Sequence, residues 1–564
     1  VIEEKLVGIY SEILGVDSDI IGVNSKFFDL GGNSLSFVFL KNRLKEEFNI
    51  SLTLSKLMSI EDIQGLALMI NKSDQEEFFK IPEAVELDYY PLSSTQKRMY
   101  FLHEYDRNSV VYNIPMVVTL SGVLDIEKLK FAFQKLIERH DSLRTVFEFI
   151  KGKPVQRILP EVNFSIKNFN IDTDIDLAID SFIRPFNLSE GPLLRVGVAS
   201  ISAQESLMII DTHHIISDGV TSTILLEDLK SLYKEEILPN LSIQYKDYVM
   251  WQLEKKQQEE IKSHEEFWLK VFSKKVPTLE LPYDYNRPKE QSSEGGNYLI
   301  ELNNDQHKQL KKLSSSLGVT MYSLILSIYN VLLSKLTNQN DIVVGTPLAG
   351  RQHVDLESIA GVFINTLALR NYPDGDITFK SFLKQVQEGV SLALDNQLYP
   401  YEELVDVLNL ERDTSRNALF DVFLNYELED KKREFTDSEL KIDKFKKLYS
   451  VAKFDLQLMA LDSEESLELV FTYSKDLFKA SSVELFGSYF VNIIDEVLKD
   501  ENQLLKDIKI VSEKESEKLL IEHSNTDVSY QKDKTIIDLF KEQVSLKEDT
   551  AAVVFEQESL SYKE

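Results

Sequence analysis

The chain has 564 residues, no cysteine and a formal net charge of −30 at pH 7. At about 150 residues per domain, this length predicts roughly four folding units. The missing cysteines exclude disulfides, iron–sulfur clusters and thiolate zinc sites, so any thiol chemistry requires an attached group. The acidic balance argues against nucleic acid as a partner, because a phosphate backbone is bound by clustered Lys and Arg.

We expect neither a membrane span nor a signal peptide in this sequence. Apolar runs such as residues 66–70 are far too short to span a bilayer. The chain starts at Val1 with an acidic amphipathic segment, which is unlike a signal peptide. We therefore expect a cytoplasmic protein with no membrane partner, and the absent initiator Met indicates an excised piece.

Residues 1–73 read as a small helical domain. Apolar residues recur at helical spacing over residues 2–14, a second helix is predicted to start at Ser34, and a last helix covers about residues 61–70. Residues 74–88 have the composition of a linker, with a helix-breaking proline. Phe78, Phe79 and Ile81 are apolar, so part of this linker is expected to contact a neighbour.

The pattern is mixed from residue 89 to about residue 522. Segments with helical periodicity alternate with strand-like runs. The helical segments are 126–139, 306–317, 321–336, 379–394 and 482–498, and the strand-like runs are 116–120, 207–212, 341–344 and 467–473. This alternation predicts an α/β or α+β design. More than 400 residues exceed a single core, so we expect two lobes, 89–265 and 266–522.

Two further segments stand apart from this pattern. Residues 431–447 are strongly charged and are expected to form a solvated loop or edge. Residues 523–564 contain an amphipathic helix after Thr535 and a strand at 551–555, too little to bury a core alone. They read as a linker and the opening of another domain.

A glycine–serine turn is the first chemical signal. Residues 27–35 read Phe-Phe-Asp-Leu-Gly-Gly-Asn-Ser-Leu, so two glycines precede Ser34 at a predicted helix start. Unpaired N–H groups and the helix dipole there would favour an anion, such as a phosphodiester on the serine hydroxyl. An ordinary Ser N-cap is the alternative. A nucleophile elbow fails, because Ser36 stands where that motif requires glycine.

This segment closely resembles the carrier-protein motif of nonribosomal peptide synthetases, and the resemblance covers residues 1–73. It implies a small all-α, four-helix peptidyl carrier domain. It also implies that Ser34 carries 4′-phosphopantetheine, attached by a phosphopantetheinyl transferase, with the substrate bound to its thiol as a thioester. The arm would supply the thiol that the cysteine-free chain lacks.

Two adjacent histidines form the second signal. A strand runs into His213 and His214, followed by Asp218, Gly219 and a helix from about Val220. Side chains of neighbouring residues on an extended backbone point to opposite faces, so one imidazole can be structural while the other faces a cavity. A metal site lacks an evident third ligand. A packing pair and a catalytic histidine both stay open.

The His-His-x-x-x-Asp-Gly signature resembles that of condensation domains and their chloramphenicol-acetyltransferase-like relatives. Further stretches match the condensation family in the expected order, at 90–100, 139–145, 245–251, 345–351, 361–367, 399–402 and 412–417. The resemblance implies an α/β condensation domain made of two chloramphenicol-acetyltransferase-like lobes in a V shape. A tunnel would run between the lobes, with His214 midway along it.

The resemblance also implies the site residues. The catalytic signature comprises His213, His214, Asp218 and Gly219, with His214 as the acting histidine. Asp218 would be mainly structural and pair with an arginine, for which Arg351 is the candidate. The alternative for Arg351 is a solvent-facing loop residue. No metal ligand is assigned.

The implied reaction is amide formation by attack of an aminoacyl α-amine on an upstream thioester. A free histidine with a pKa near 6.5 could deprotonate an ammonium of pKa near 8 at a cost of about 2 kcal/mol, or it could orient a neutral amine. The implied partners are an upstream adenylation domain, a downstream adenylation domain and an acceptor carrier. An L-donor/L-acceptor subtype is expected. An epimerisation-type relative and a non-catalytic carrier-recruitment platform are the alternatives.

Overall fold

A computed structural model describes residues 2–32, 34–60, 62–73, 78–169, 175–202, 204–410, 413–428, 441–444, 451–522 and 529–564. Asn33, Arg412, the polar start of the linker at 74–77 and most of the charged segment 431–447 lie outside these ranges. The chain divides into two compact units, Val1–Ile510 and Val511–Glu564, which we describe separately.

The N-terminal part of the first unit is a helical bundle. Its described helices are α1 (Ile2–Leu14), α2 (Ser34–Phe48), α3 (Leu54–Ser59) and α4 (Ile63–Lys72). Their apolar faces bury residues such as Leu6, Leu57 and Leu66. The side chains of Thr53 and Asp62 cap α3 and α4 by accepting backbone hydrogen bonds. The expected four-helix, all-α fold of this segment is therefore confirmed.

The first lobe combines antiparallel strands with helices. Its described strands are β1 (Tyr90–Pro91), β2 (Asn113–Ser121), β3 (Thr145–Ile150), β4 (Lys153–Ile158), β5 (Ile166–Asn168), β6 (Leu194–Ser202) and β7 (Glu205–His213). Its described helices are α5 (Ser94–Tyr105), α6 (Ile126–Arg139), α7 (Ile175–Phe182), α8 (Gly219–Tyr233), α9 (Tyr245–Gln252) and α10 (Lys255–Val271). The predicted lobe boundary at 265/266 lies inside α10.

Strand β7 lies in the interior of this lobe and leads to the histidines. It is hydrogen-bonded to β2 on one side and to β6 on the other. All of its residues after Glu205 are buried, which explains the nearly continuous apolar run in the sequence. Helices α6 and α8 pack against each other on this lobe. The end of β7 at His213 is therefore rigidly held.

The second lobe is built around another sheet. In chain order, its segment contributes β8 (Gly295–Glu301), β9 (Ile342–Leu348), β10 (Asn365–Asn371), β11 (Val422–Leu428), β12 (Lys441–Lys444), β13 (Leu456–Asp462) and β14 (Leu467–Ser474). Its described helices are α11 (Asn304–Leu317), α12 (Met321–Thr337), α13 (Phe379–Asp395), α14 (Tyr401–Leu408) and α15 (Ala480–Lys499). The strands run in the order β10-β9-β11-β13-β14-β8 across the sheet, and α12 is buried against it.

Strand β12 joins the two lobes. It belongs to the second lobe in sequence but pairs antiparallel with β2 of the first lobe, with Ile442 opposite Leu120. It therefore forms the edge of the first lobe's sheet. The described part of the charged segment is thus an edge strand, one of the two outcomes expected from the sequence.

The linker lies against the second lobe, as its apolar residues predict. Ile81 is buried, and its N–H donates to the Asp355 carboxylate at 3.0 Å. The Phe78 ring stacks on His353 with 5.0 Å between ring centres. These contacts fix the chain where it passes from the helical bundle into the first lobe.

The second unit contains short elements. Those described are α16 (Glu513–Glu517), a π-helical turn (Lys518–Glu522), α17 (Ile536–Leu546), β15 (Ala551–Phe555) and β16 (Glu558–Ser561). The amphipathic helix and the strand expected from the sequence are both present. The large apolar side chains of Ile536, Phe540 and Val554 are exposed.

Membrane-spanning potential can be judged only for the described residues. None of their helices alone has the length and apolar character of a membrane span, and one pair bent by 107°, Asn304–Leu317 with Met321–Thr337, meets that test by length and composition only.

Candidate active site

The loop between β7 and α8 carries the histidine signature. Asp218 caps α8, because its carboxylate accepts the Thr221 N–H at 2.7 Å. The His214 N–H donates to the Tyr112 carbonyl at 2.8 Å, which ties the loop to the residue before β2. The loop is thus held at both ends.

His213 points into the packed interior. It is 3% exposed, and its ring meets His103 and Phe186 edge-on, at 5.7 and 6.0 Å between ring centres. Its Nδ1 accepts the Ile215 N–H at 3.1 Å. Burial lowers the pKa of His213 to about 3. A neutral imidazole with these contacts stabilises the loop by packing.

His214 is half-buried. Its Nδ1 lies 2.7 Å from the carbonyl oxygen of Ser217. A carbonyl can only accept, so Nδ1 carries the proton and Nε2 of the neutral ring carries the lone pair. Burial, followed by the charge of Lys453, lowers the pKa of His214 to about 4. The ring is therefore unprotonated at neutral pH, with Nε2 available as an acceptor.

The structure brings Asp218 and Arg351 together across the two lobes. The guanidinium Nη2 lies 3.2 Å from Asp218 Oδ1 and 2.9 Å from Thr221 Oγ1. Arg351 is 2% exposed, which removes the alternative of a solvent-facing loop residue. Its Nη1 donates to the carbonyls of Leu356 and Ile359, both at 2.7 Å. Burial lowers the pKa of Arg351, and Asp218 counteracts that shift.

The other sequence motifs meet around this ion pair. The Phe363 N–H donates to Asp218 Oδ2 at 2.9 Å, and the Tyr245 hydroxyl donates to the Val362 carbonyl at 2.7 Å. The same hydroxyl lies 3.0 Å from Ser93 Oγ, in the first motif. Motifs far apart in sequence therefore form one hydrogen-bonded layer beneath the histidine loop.

The structure requires glycine at position 350 but not at position 219. Gly350 has φ +67°, and a Cβ there would lie 1.8 Å from the Phe363 carbonyl oxygen. A glycine at position 219 could serve a tight turn or the close approach of a ligand. Its φ is not positive, and a Cβ there would have nothing within 4 Å. Gly219 therefore leaves open space beside the loop rather than forming a turn.

Arg139 and Arg144, which the second motif contributes, make structural contacts. Arg139 Nε donates to the Asp228 carboxylate at 2.8 Å. Arg144 Nη1 donates to the Leu159 carbonyl at 2.7 Å. Arg139 therefore joins the end of α6 to α8, and Arg144 also donates to the Ile137 carbonyl of α6 at 3.1 Å.

Comparison with known families identifies the two parts of the first unit. Residues 86–520 match the condensation domain family, and residues 4–70 match the phosphopantetheine attachment site family. The chain belongs to the condensation domain family. Such domains of nonribosomal peptide synthetases are amide-bond-forming acyltransferases, and here the domain follows a carrier whose cofactor is 4′-phosphopantetheine on a serine.

Relatives of this carrier and condensation domain are much longer synthetases. Gramicidin S synthase 2 of Brevibacillus brevis is 40% identical over 541 residues, which are 95% of this chain and 12% of that protein. Bacitracin synthase 3 of Bacillus licheniformis is 39% identical over 568 residues, covering 100% of this chain and 9% of that protein. The chain thus spans about a tenth of the length of these relatives.

Solved structures agree on the fold. A four-domain nonribosomal peptide synthetase bound to AMP and glycine superposes with a TM-score of 0.75 at 21% identity, covering 85% of this chain and 38% of that one. The X-domain from teicoplanin biosynthesis gives a TM-score of 0.70 at 22% identity, covering 77% and 100%. At these identities the likeness concerns the fold alone.

The carrier contacts the condensation domain through α2 and α3. Asn42 Nδ2 donates to the backbone carbonyl of Arg351 at 3.1 Å. The Leu54 N–H donates to the Asp395 carboxylate at 2.6 Å. Arg43 lies 3.6 Å from the Glu357 carboxylate. One of these contacts therefore reaches the arginine that pairs with Asp218.

The carrier turn fits a cofactor attachment point. Gly31 has φ +94°, and a Cβ on Gly32 would lie 2.2 Å from the Phe27 ring. Both positions therefore require glycine, and the turn delivers the chain to Ser34, the first residue of α2. The side chain of Ser34 lies outside the described part of the structure. A serine backbone at a helix start is the arrangement that a phosphodiester favours.

Sequence reasoning missed a lysine near the site. The Lys453 ammonium lies 5.2 Å from the centre of the Tyr112 ring, and its charge is the second cause of the lowered pKa of His214. The one available signal was a single charged residue in the run Val-Ala-Lys-Phe before β13. That signal has no link to the histidines in sequence.

Proposed function

We propose that this chain joins an upstream acyl or peptidyl thioester to the α-amine of a downstream aminoacyl thioester, forming an amide bond. The carrier would hold the donor on Ser34, and the condensation domain would catalyse the transfer at His214. Asp218, Gly219 and Arg351 would keep the histidine loop in place, and His213 would act through packing alone.

The tautomer of His214 carries this proposal. The hydrogen bond from Nδ1 to the Ser217 carbonyl leaves Nε2 of this half-buried residue as an acceptor. An amine nucleophile must lose a proton during the reaction, and Nε2 can accept a hydrogen bond from that amine. This is the geometry required of a group that orients or deprotonates the nucleophile.

The pKa of His214 favours one of these two roles. Moving a proton from an ammonium of pKa about 8 to an imidazole of pKa about 4 costs about 5 kcal/mol. The cost was about 2 kcal/mol for an unperturbed histidine. We therefore assign to His214 the orientation of an already neutral amine, followed by acceptance of the more acidic proton that the nitrogen holds after attack.

Ser34 would hold the cofactor. The phosphopantetheine group, when attached, supplies the thiol on which the acyl group is carried. Loading would need a phosphopantetheinyl transferase and an upstream adenylation domain. A downstream adenylation domain and an acceptor carrier would supply the amine.

The donor is proposed to be L-configured, because the carrier is followed directly by the condensation domain without an epimerisation domain. Donors of both configurations, loaded separately on the carrier, test this assignment. Faster transfer of the D-ended donor would refute it.

The experiment that tests the activity is amide formation in trans with two loaded carriers. We expect His214→Ala to lose nearly all transfer while intact mass spectrometry shows unchanged loading of Ser34. The control Ser34→Ala should take up no cofactor. Undiminished product with His214→Ala would refute the catalytic assignment. No transfer by the wild-type chain would favour the non-catalytic recruitment platform.

A further inference from the structure

The charge of one lysine of the second lobe acts on the proposed active histidine. Lys453 precedes β13 of the second lobe and extends over the ring of Tyr112, whose carbonyl holds the His214 N–H. Among the residues that the structure describes, its Nζ forms no ion pair and no hydrogen bond. The Lys453 side chain is exposed, and its charge contributes to the lowered pKa values of both histidines.

The backbone around Lys453 is held in place. Its carbonyl accepts hydrogen bonds from the side-chain amides of Gln291 at 3.0 Å and Asn417 at 3.1 Å. The next residue, Phe454, stacks on Phe423 with 4.3 Å between ring centres. The ammonium therefore extends from a fixed point rather than from a mobile loop.

Among the described cations near His214, Lys453 is the one that no carboxylate binds. Arg98 of α5 also faces this region, but its Nη1 is bound by the Glu402 carboxylate at 2.9 Å. Two charged groups act on His214: Lys453, which belongs to the second lobe, and Asp218, which belongs to the same loop as His214. Asp218 is already paired with Arg351. Lys453 keeps contact with solvent, yet nearby protein displaces enough water to lower its pKa to about 8, and Arg98 adds to this shift.

We propose that the Lys453 ammonium is a catalytic residue, which donates a hydrogen bond to the oxygen of the thioester carbonyl as the amine attacks. This inference rests on the proposed function. In this proposal, the group that binds the amine and the group that binds the carbonyl oxygen belong to different lobes. His214 of the first lobe would serve the nucleophile, and Lys453 of the second lobe would stabilise the developing oxyanion.

The step balances as follows. The amine lone pair forms the new carbon–nitrogen bond, and the carbonyl π electrons move to oxygen, where the ammonium stabilises the negative charge. The nitrogen loses a proton to Nε2 of His214. The carbonyl then re-forms as the carbon–sulfur bond breaks, and the leaving thiolate takes the proton, which returns His214 to its neutral state.

The test uses the full chain loaded at Ser34 with a set of L-aminoacyl groups from the corresponding coenzyme A thioesters, with aminoacyl N-acetylcysteamine thioesters as acceptors. The variants are Lys453→Met, Lys453→Arg and the matched control Lys475→Met, an exposed lysine that pairs with Glu294 at the surface. Loading is followed by intact mass and folding by thermal melting.

We expect kcat to fall about 100-fold in Lys453→Met with an unchanged KM for the acceptor, because loss of one oxyanion donor costs that much. The wild-type rate should decline above about pH 8 as Lys453 loses its proton. Lys453→Arg should be slower but keep its rate above that pH, because a guanidinium stays protonated. If Lys453 had only a structural role, its replacement by arginine would not change the decline of the rate above pH 8.

A second readout does not depend on turnover. Lysines are reductively methylated with ¹³C-formaldehyde, and the Lys453 signal is assigned by its loss in Lys453→Met. It should titrate near pH 8 and shift when the carrier holds a non-hydrolysable amide analogue of the donor. An unmoved signal, or a full rate in Lys453→Met, would overturn this inference alone. No product from any wild-type pair would overturn the proposed function instead.

Discussion

Replacing Arg351 with methionine should destabilise the condensation domain strongly. The substitution keeps an apolar stem of similar length but removes the donors to the Leu356 and Ile359 carbonyls and to Thr221. It also leaves the Asp218 carboxylate, which is 0% exposed, without its counter-charge. Removing one partner of a buried ion pair typically costs about 3–5 kcal/mol. We expect a loss of that size in the free energy of unfolding.

The double variant Asp218→Asn with Arg351→Met separates the charge from the packing. An amide at 218 can still accept the Thr221 N–H but carries no charge, so the double variant should be less destabilised than the sum of the single ones. Contacting residues of this kind have interaction free energies of about 0.5–3 kcal/mol. Additive losses would show that the ion pair itself contributes little.

Urea unfolding followed by tryptophan fluorescence measures these losses. The chain has two tryptophans, and Trp251 packs against His353, close in sequence to Arg351. The control is Arg107→Met, an exposed arginine paired with Glu104, which should change stability by no more than about 0.5 kcal/mol. A loss below about 1 kcal/mol in Arg351→Met would refute the reasoning.

Two more predictions concern stability. His213 has a folded-state pKa of about 3, below the 6.5 of a free histidine, so its contribution is complete above pH 6.5 and declines as the pH falls toward 3, by about 2 kcal/mol at pH 5. His213→Asn keeps an acceptor for the Ile215 N–H and should flatten the pH dependence of the unfolding free energy in this range; an unchanged slope would contradict the assignment. Gly350→Ala should lower the melting temperature sharply because its Cβ would meet the Phe363 carbonyl, whereas Gly219→Ala should melt like wild type. Equal melting temperatures would show that the loop at Gly350 adapts.

Local patterns in the sequence predicted the long elements well. The predicted helix at 126–139 has the bounds of α6, because Asp125 caps it and its apolar residues recur with helical period. The strand at 551–555 has the bounds of β15. Helical periodicity did not locate α3, Leu54–Ser59, because six residues are too few to display a helical period, and only the family resemblance implied a fourth helix.

Features that depend on distant parts of the chain could not be predicted in the same way. The pairing of β12 with β2 crosses from one lobe to the other, and neither strand indicates its partner. The Arg351–Asp218 contact was expected only from a family resemblance. The low pKa of His214 depends on its burial and on Lys453, which no spacing rule connects to the histidines. Local chemistry thus predicts elements, whereas the tertiary fold determines the electrostatics of the site.

The contact between Asn42 and the backbone of Arg351 matters for anyone recombining synthetase modules. Asn42 donates a hydrogen bond to the main chain of Arg351, whose side chain secures the histidine loop. The Asp395 carboxylate accepts a hydrogen bond from the first residue of α3. A hybrid built by cutting only in the linker would keep the covalent connection and lose this matched surface. Transplanting a foreign carrier should therefore include grafting the residues of α2 and α3 that face the second lobe.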